Sequence, residues 1–133
     1  ACKITYNKKD QVTRLRATID YSDLGKGTST TQADRDAIKK AGKLYEAGHI
    51  RGKLLGGLGG KLSDNTFAQL RKLNRGLYRQ FEKYIADHLK KQVKLGKVDI
   101  DIKLLNRNKL GVPKRIIYNV KGKGLDETAR FKN

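Results

Sequence analysis

Three side chains in this sequence have types and positions suited to acid–base and metal chemistry. His49 closes the run Glu46-Ala47-Gly48-His49, just ahead of a glycine-rich stretch. Asn74, Tyr78 and Glu82 recur at i, i+4 and i+8, so on a continuous helix they form one ridge. A neutral imidazole can take a proton from water near physiological pH. Oxygen donors such as an amide and a carboxylate suit a hard divalent cation, which keeps several of its waters. On the residues alone, plainer roles stay open: His49 as an ordinary loop histidine, Asn74 as a helix cap, Glu82 as solvated surface.

Other chemistry is excluded. A phosphate-binding P-loop needs G-x-x-x-x-G-K-[ST], but Gly52-Lys53 and Gly60-Lys61 are each followed by leucine and lack the upstream glycine. A hairpin with glycines at positive φ is expected there instead. The two histidines come with a single cysteine, Cys2, so neither a thiolate zinc cage nor an internal disulfide can form. His88 falls near the apolar stripe of a helix and is expected to be structural.

The charge names the partner. Lys and Arg number 31 against 13 acids in 133 residues, a formal net charge of +18 spread along the chain. A polyanion, above all DNA or RNA, is the natural counterpart. No apolar run reaches the roughly 18 residues that span a bilayer, so no membrane partner is expected. The N-terminus lacks the apolar core of a secretory signal. The chain has no methionine, which suggests a product excised from a longer polypeptide.

The elements that must position these groups follow from periodicity. Residues 3–20 alternate weakly around a polar turn and predict two short strands. Residues 25–30 are a loop. Thr31 and Asp34 form a capping box for a helix over 32–41, stopped by Gly42. Residues 44–64 hold six glycines and predict irregular backbone or a twisted hairpin. Leu77, Phe81, Ile85 and Leu89, widened by Tyr84, His88 and Val93, predict a long helix capped by Asn74 and running to about Lys94. Strands are predicted over 98–104 and 115–120, and a loose tail over 122–133. The whole of 1–133 reads as one domain.

From Glu46 to Glu82 the sequence resembles the DNA/RNA non-specific endonucleases of the ββα-metal, or His–metal finger, class. The resemblance rests on Glu46-Ala47-Gly48-His49, Gly56-Gly57, Asn65-Thr66-Phe67-Ala68-Gln69, Leu73-Asn74-Arg75-Gly76-Leu77-Tyr78 and Phe81-Glu82, in register over about 40 residues. Two features depart from the pattern. The acid before His49 is Glu46 rather than Asp, and position 86 is Ala where an Arg is expected. Arg14, Arg16 and Arg35 are the candidates for an upstream phosphate-binding arginine.

The resemblance implies an α+β fold with a ββα-metal core, a small antiparallel sheet and a long helix after Asn74. It implies an endonuclease that hydrolyses DNA or RNA with little sequence preference. His49 would be the general base and Asn74 the ligand of one Mg²⁺ (or Mn²⁺) ion. Glu82 would reach the metal or its waters, and Glu46 would support the site. The helix N-terminus capped by Asn74 would add N–H donors for phosphate. Arg51, Asn65, Arg71, Arg75 and Arg79 would hold the nucleic-acid backbone, where contacts position without specifying sequence. The compact form of the family points to the effector of a secreted or contact-delivered bacterial toxin acting in a target-cell cytoplasm, with an acidic immunity protein as inhibitor. The rivals are a non-catalytic basic nucleic-acid-binding protein and a toxin RNase acting on one RNA.

Overall fold

A computed structural model of the chain describes residues 2–60, 62, 64–92 and 96–133. Its larger layer is an antiparallel sheet of five strands: β1 (Cys2–Tyr6), β2 (Val12–Asp20), β5 (Lys97–Arg107), β6 (Pro113–Gly122) and β7 (Leu125–Lys132), in the order β1-β2-β5-β6-β7. Strict alternation builds it. Leu15, Ala17 and Ile19 turn inward with Val98, Ile100, Ile102 and Leu104, while Arg14, Arg16 and Asp101 turn outward. Burying one such aliphatic side chain contributes about 1.5–3 kcal/mol, so a one-residue slip of register would expose the whole set.

The predicted tail is a strand. Leu125, Ala129 and Phe131 supply its inward positions, and β7 pairs with β6 from Gly122↔Leu125 to Arg115↔Lys132. Asn133 follows, its side chain buried between the layers. It donates to the carbonyls of Ala68 and Pro113 at 3.0 and 2.7 Å and accepts from Leu70 N–H at 2.8 Å.

Leu70 belongs to the smaller layer, a two-stranded antiparallel sheet of β3 (Tyr45–His49) and β4 (Thr66–Leu70). The stretch 44–64 is therefore not a self-contained hairpin: its first part pairs with residues beyond it. The capping box of Thr31 and Asp34 opens α1 (Gln32–Ala37) as expected, but the α-helix ends short of the expected Ala41, and a 3-10 turn (Lys39–Ala41) carries the chain to Gly42.

The long helix differs from expectation in two respects. It is preceded by a separate turn, α2 (Arg71–Arg75), and begins after Gly76 as α3 (Leu77–Lys91). Asn74 thus lies inside α2 and caps nothing. The break depends on glycine, because a Cβ at position 76 would sit 2.6 Å from the carbonyl oxygen of Lys72. The expected stripe holds at Phe81, Ile85 and Leu89, but the break moves its first position from Leu77 to Tyr78. Tyr78, Ile85, Ala86 and Leu89 face the sheet, while Leu77 is 65% exposed and Tyr84 is exposed too. Val93 and Lys94, assigned to this helix from sequence, lie outside the described residues. Tyr78 anchors the packing, edge-on to Phe131 at 5.1 Å, and its hydroxyl donates to the Ile50 carbonyl at 2.7 Å. Among the described residues no helix is long and apolar enough to cross a membrane.

Candidate active site

His49 ends β3, opposite Thr66 of β4. Its Nε2 lies 2.8 Å from the carbonyl oxygen of Thr28, in the loop that precedes α1. A carbonyl can only accept, so Nε2 carries the proton and the neutral ring keeps its lone pair on Nδ1. The loop therefore fixes both the tautomer and the ring plane. Thr28 is held in turn, its amide donating to Gly57 and its hydroxyl accepting from Gly59 N–H.

Glu46 lies three residues earlier on the same strand and faces α2. Its carboxylate accepts from Asn74 Nδ2 at 2.7 Å, from Arg75 at 2.9 Å and from Arg71 at 3.3 Å. Burial pushes the carboxyl pKa up, but the hydrogen bonds of Asn74, Arg75 and Arg71 and the charge of Arg75 outweigh it, so the group stays below its ordinary range and ionised. Only the NH₂ of an amide can face a carboxylate without repulsion. The amide oxygen of Asn74 therefore points away from Glu46, and among the described residues no hydrogen bond occupies it. The extra methylene of Glu46 relative to Asp does not remove this contact.

Glu82 comes from α3 and lies buried against the backbone of Gly52. A Cβ at Gly52 would sit 1.7 Å from Glu82 Oε2, so only glycine admits the carboxyl here. Burial pushes the Glu82 pKa up to about 8, against the smaller opposing effects of the Gly52 N–H and Arg79. Oε2 is buried with no hydrogen-bond partner among the described residues.

These groups share one cleft of about 560 Å³, lined by Glu46, His49, Asn74, Glu82, Arg75 and Arg79. Gly52 and Lys53 form part of its wall, and Lys53 Nζ donates to Ser29 Oγ at 2.9 Å. The continuous ridge expected for Asn74, Tyr78 and Glu82 does not form, because the helix breaks at Gly76 and Tyr78 is core. Asn74 and Glu82 reach the cleft from two separate helices. Of the three upstream arginines, Arg35 lies beside His49, in the adjoining groove that Asn74 also lines. Arg14 is engaged by Asp101 on the outer face of the large sheet.

Two expected backbone-binding residues are turned inward. Asn65 is 4% exposed, accepts from Arg51 N–H and donates to the carbonyls of Arg51 and Leu58. It pins the glycine-rich loop and offers nothing to a ligand. Arg51 has a side chain only 14% exposed, donates to the Leu55 carbonyl at 2.9 Å and lies 3.7 Å from Asp23. Arg71, Arg75 and Arg79 remain exposed. His88 is structural as expected, bonded to the Lys123 carbonyl at 2.9 Å. Sequence reasoning missed Lys53 and the Thr28 carbonyl. The first was set aside with the failed P-loop, and the second is main chain, which no side-chain pattern marks.

The donor set suits one kind of ion. Among the described residues no cluster of three or more His, Cys, Asp or Glu could cage a metal. An amide oxygen and an orphaned carboxylate oxygen lining one cleft instead fit a hard cation that keeps most of its waters.

Known proteins resemble the chain in sequence and in fold. The sequence model of the DNA/RNA non-specific endonucleases matches residues 3–124. The chain belongs to that family. It is an enzyme of the nucleic-acid-hydrolysing kind. It is 34% identical over 131 residues to a probable deoxyribonuclease, RhsA, of Dickeya dadantii (strain 3937), covering 98% of this chain but only 9% of that protein. In fold it is similar to NucA from Streptococcus agalactiae with magnesium ion bound (TM-score 0.72, 16% identity, all of this chain and 72% of the other). It is likewise similar to the Sda1 nuclease with bound zinc ion (TM-score 0.73, 14% identity, all of this chain and 75% of the other).

Proposed function

We propose that the domain is a metal-dependent endonuclease that cuts DNA, and RNA where it is offered, with little sequence preference. One observation carries the proposal: His49, with Nδ1 left free by the Thr28 carbonyl, shares a cationic cleft with the outward-facing oxygen of Asn74. Asn74 would hold a divalent cation directly, and Glu82 would hold it directly or through its waters. Mg²⁺ is the first choice, since both donors are hard oxygens. When bound, such an ion supplies charge neutralisation at the phosphoryl group under attack.

The rest of the chemistry belongs to the chain's own residues. Arg79, Arg75 and Lys53 bind the phosphodiester and orient it in the cleft. A water on the other side of the phosphorus gives its proton to Nδ1 of His49 as its oxygen bonds to phosphorus. His49 becomes an imidazolium whose Nε2–H bond to Thr28 strengthens with the charge. The P–O bond to the leaving sugar oxygen then breaks, its electron pair stays on that oxygen, and a solvent water protonates it to the hydroxyl. Every cationic contact in this scheme is to the backbone, and this accounts for weak sequence preference.

We further propose that the domain acts as the effector of a longer bacterial toxin. The share of the RhsA relative that it covers supports this. So do structural relatives described as an extracellular endonuclease and an extracellular nuclease. Such a nuclease endangers the cell that makes it, and its charge of +18 would steer a strongly acidic inhibitor protein to the cleft. Incubation with plasmid DNA and total RNA, with Mg²⁺ and with chelator, is the test. Metal-dependent degradation of plasmid to short fragments is expected. Intact plasmid under all conditions would remove the nuclease reading, and one discrete cut in total RNA would replace it with a specific ribonuclease.

A further inference from the structure

Arg35 lines the groove beside His49, whereas Lys40, five residues on, lines a different cleft. That second cleft, about 600 Å³, lies where the turn between β1 and β2 meets the turn between β5 and β6. Its charged lining is Lys8, Lys9, Lys40, Arg107 and Lys109; the other lining groups are amides and a glycine, and none is a carboxylate. Among the described residues none of the five cations makes an ion pair.

Arg107 makes the cluster more than a scatter of surface lysines. Its two terminal nitrogens are committed to main chain, donating to the carbonyls of Gly111 and Val12. Its Nε–H is buried with no hydrogen-bond partner. Burial holds the guanidinium below its ordinary pKa, with no acid to compensate. Asp10, Asp34 and Asp64 line the adjoining cleft, but Asp34 is occupied by Thr31, Gly60 and Thr66, and Asp64 by the Tyr6 hydroxyl. The catalytic scheme uses none of these five cations.

We propose that this cleft is a second phosphate site, which holds the backbone of the nucleic-acid strand being cut at His49. The proposal rests on the nuclease reading above. Arg107 fixes a positive charge in the cleft wall that no carboxylate offsets, and the lysines add point charges that reach a phosphate in the cleft. The spacing suits a continuous strand. Lys40 follows Arg35 by five residues, across the end of α1 and the 3-10 turn after it, at most about 18 Å of chain. A nucleic-acid strand advances about 3.4 Å per nucleotide, so a strand leaving Arg35 reaches Lys40 within about five nucleotides. The lining offers no apolar anchor of the kind a protein partner uses.

The test uses the cleavage-dead His49→Ala protein and two further triple variants built on it. Lys8→Gln/Lys40→Gln/Lys109→Gln empties the second cleft of three charges. Lys83→Gln/Lys90→Gln/Lys91→Gln removes as many from the exposed side of α3 and controls for net charge. Binding is followed by fluorescence anisotropy across a salt series, with one duplex of about four base pairs and one of about twenty. For the long duplex the first variant is expected to flatten the salt slope by about two to three units relative to the control. For the short duplex the two are expected to agree. A nitrogen-15 arginine spectrum should show the Arg107 Nε–H resonance moving with the long duplex and not with the short one. Equal slopes for the two triple variants, or an Arg107 resonance that responds only to poly-glutamate, overturns the proposal. Wild-type protein that binds the long duplex through these lysines and never cuts it would sink the nuclease reading and leave the second site standing.

Discussion

Asn74 is held by Glu46 across the gap between β3 and α2, its amide nitrogen 2.7 Å from the carboxylate. That contact decides which end of the amide faces the cleft. Removing the charge while keeping the shape, with Glu46→Gln, lets either end of Asn74 face the partner and releases Arg71 and Arg75. Loss of such a supporting contact commonly costs about 10–100-fold in metal affinity or activity. The Mg²⁺ concentration for half-maximal cleavage should rise by that order, with partial recovery at saturating metal. Asn74→Ala should recover less. A Glu46→Gln protein with an unchanged Mg²⁺ curve would show that the carboxylate does not position Asn74.

His49→Ala should lose about two to four orders of magnitude in cleavage rate while still binding DNA. His49 is half-buried and among the described residues its side chain hydrogen-bonds only to a loop carbonyl, so its loss should leave the fold intact. Single-turnover cleavage alongside circular dichroism checks both halves. Near-normal turnover by a folded variant ends the general-base assignment.

Much of the large sheet was legible because its central strands alternate without interruption, as in Val98-Asp99-Ile100-Asp101-Ile102. The small sheet was not, because Gly48 and the fully buried Gln69 sit where apolar residues would signal an inward face. β7 escaped for a related reason: Asp126, Glu127, Thr128 and Arg130 dilute Leu125, Ala129 and Phe131 to the look of a tail. The site was legible chiefly through family resemblance, and its geometry less so. Asn74 has the residue type of an N-cap, yet the backbone at Gly76 decides where α3 begins. Asn65 and Arg51 have the types of phosphate ligands, but their polar atoms are used to fold the loop that carries the cleft wall.

Glu82 should make the domain's stability fall with rising pH. Its folded value of about 8 stands above the ordinary carboxyl value of 4.5, so the folded state holds this proton more tightly than the unfolded one. No penalty exists below the unfolded value. It grows between the two values as the unfolded carboxyl ionises and the folded one resists, reaching order 1–4 kcal/mol near pH 8. In chelator, wild-type Tm should therefore decline across that window while Glu82→Gln stays level. Parallel curves would mean that the buried carboxyl is already ionised in the folded protein.

Asn133→Ala should destabilise the domain strongly. Its side chain serves Leu70 N–H and the carbonyls of Ala68 and Pro113, all of which would lose a partner. Leaving buried groups unpaired costs about 1–3 kcal/mol each. Partial rehydration would keep the total nearer 3 kcal/mol, a fall in Tm of roughly 10 °C for a domain of this size. A Tm within experimental scatter of wild type would mean that β4 and β6 do not depend on this bridge.

Arg79 and Arg51 look equivalent in the sequence, two arginines within the span from Glu46 to Glu82, and the structure separates them. Arg79 is exposed, lines the cleft and makes no ion pair among the described residues. Arg51 is mostly covered and spends its Nε–H on the Leu55 carbonyl. Each phosphate neutralised on duplex DNA contributes a slope of about −0.9 in log affinity against log salt. On a cleavage-dead background, Arg79→Gln should therefore flatten the slope by about one unit and weaken every duplex sequence alike, with Tm unchanged. Arg51→Gln should leave the slope alone and lower Tm, because an unpaired carbonyl and a loosened Gly52–Gly57 backbone contact are folding costs. Arg75 should fall between them: its guanidinium is open to solvent, but Glu46 already offsets part of its charge. The ordering Arg79, Arg75, Arg51 in salt slope, and the reverse ordering in Tm, is the outcome to look for. A slope change at Arg51 equal to that at Arg79 would mean that the guanidinium swings out to bind phosphate and that the inward arrangement is not the one that meets DNA.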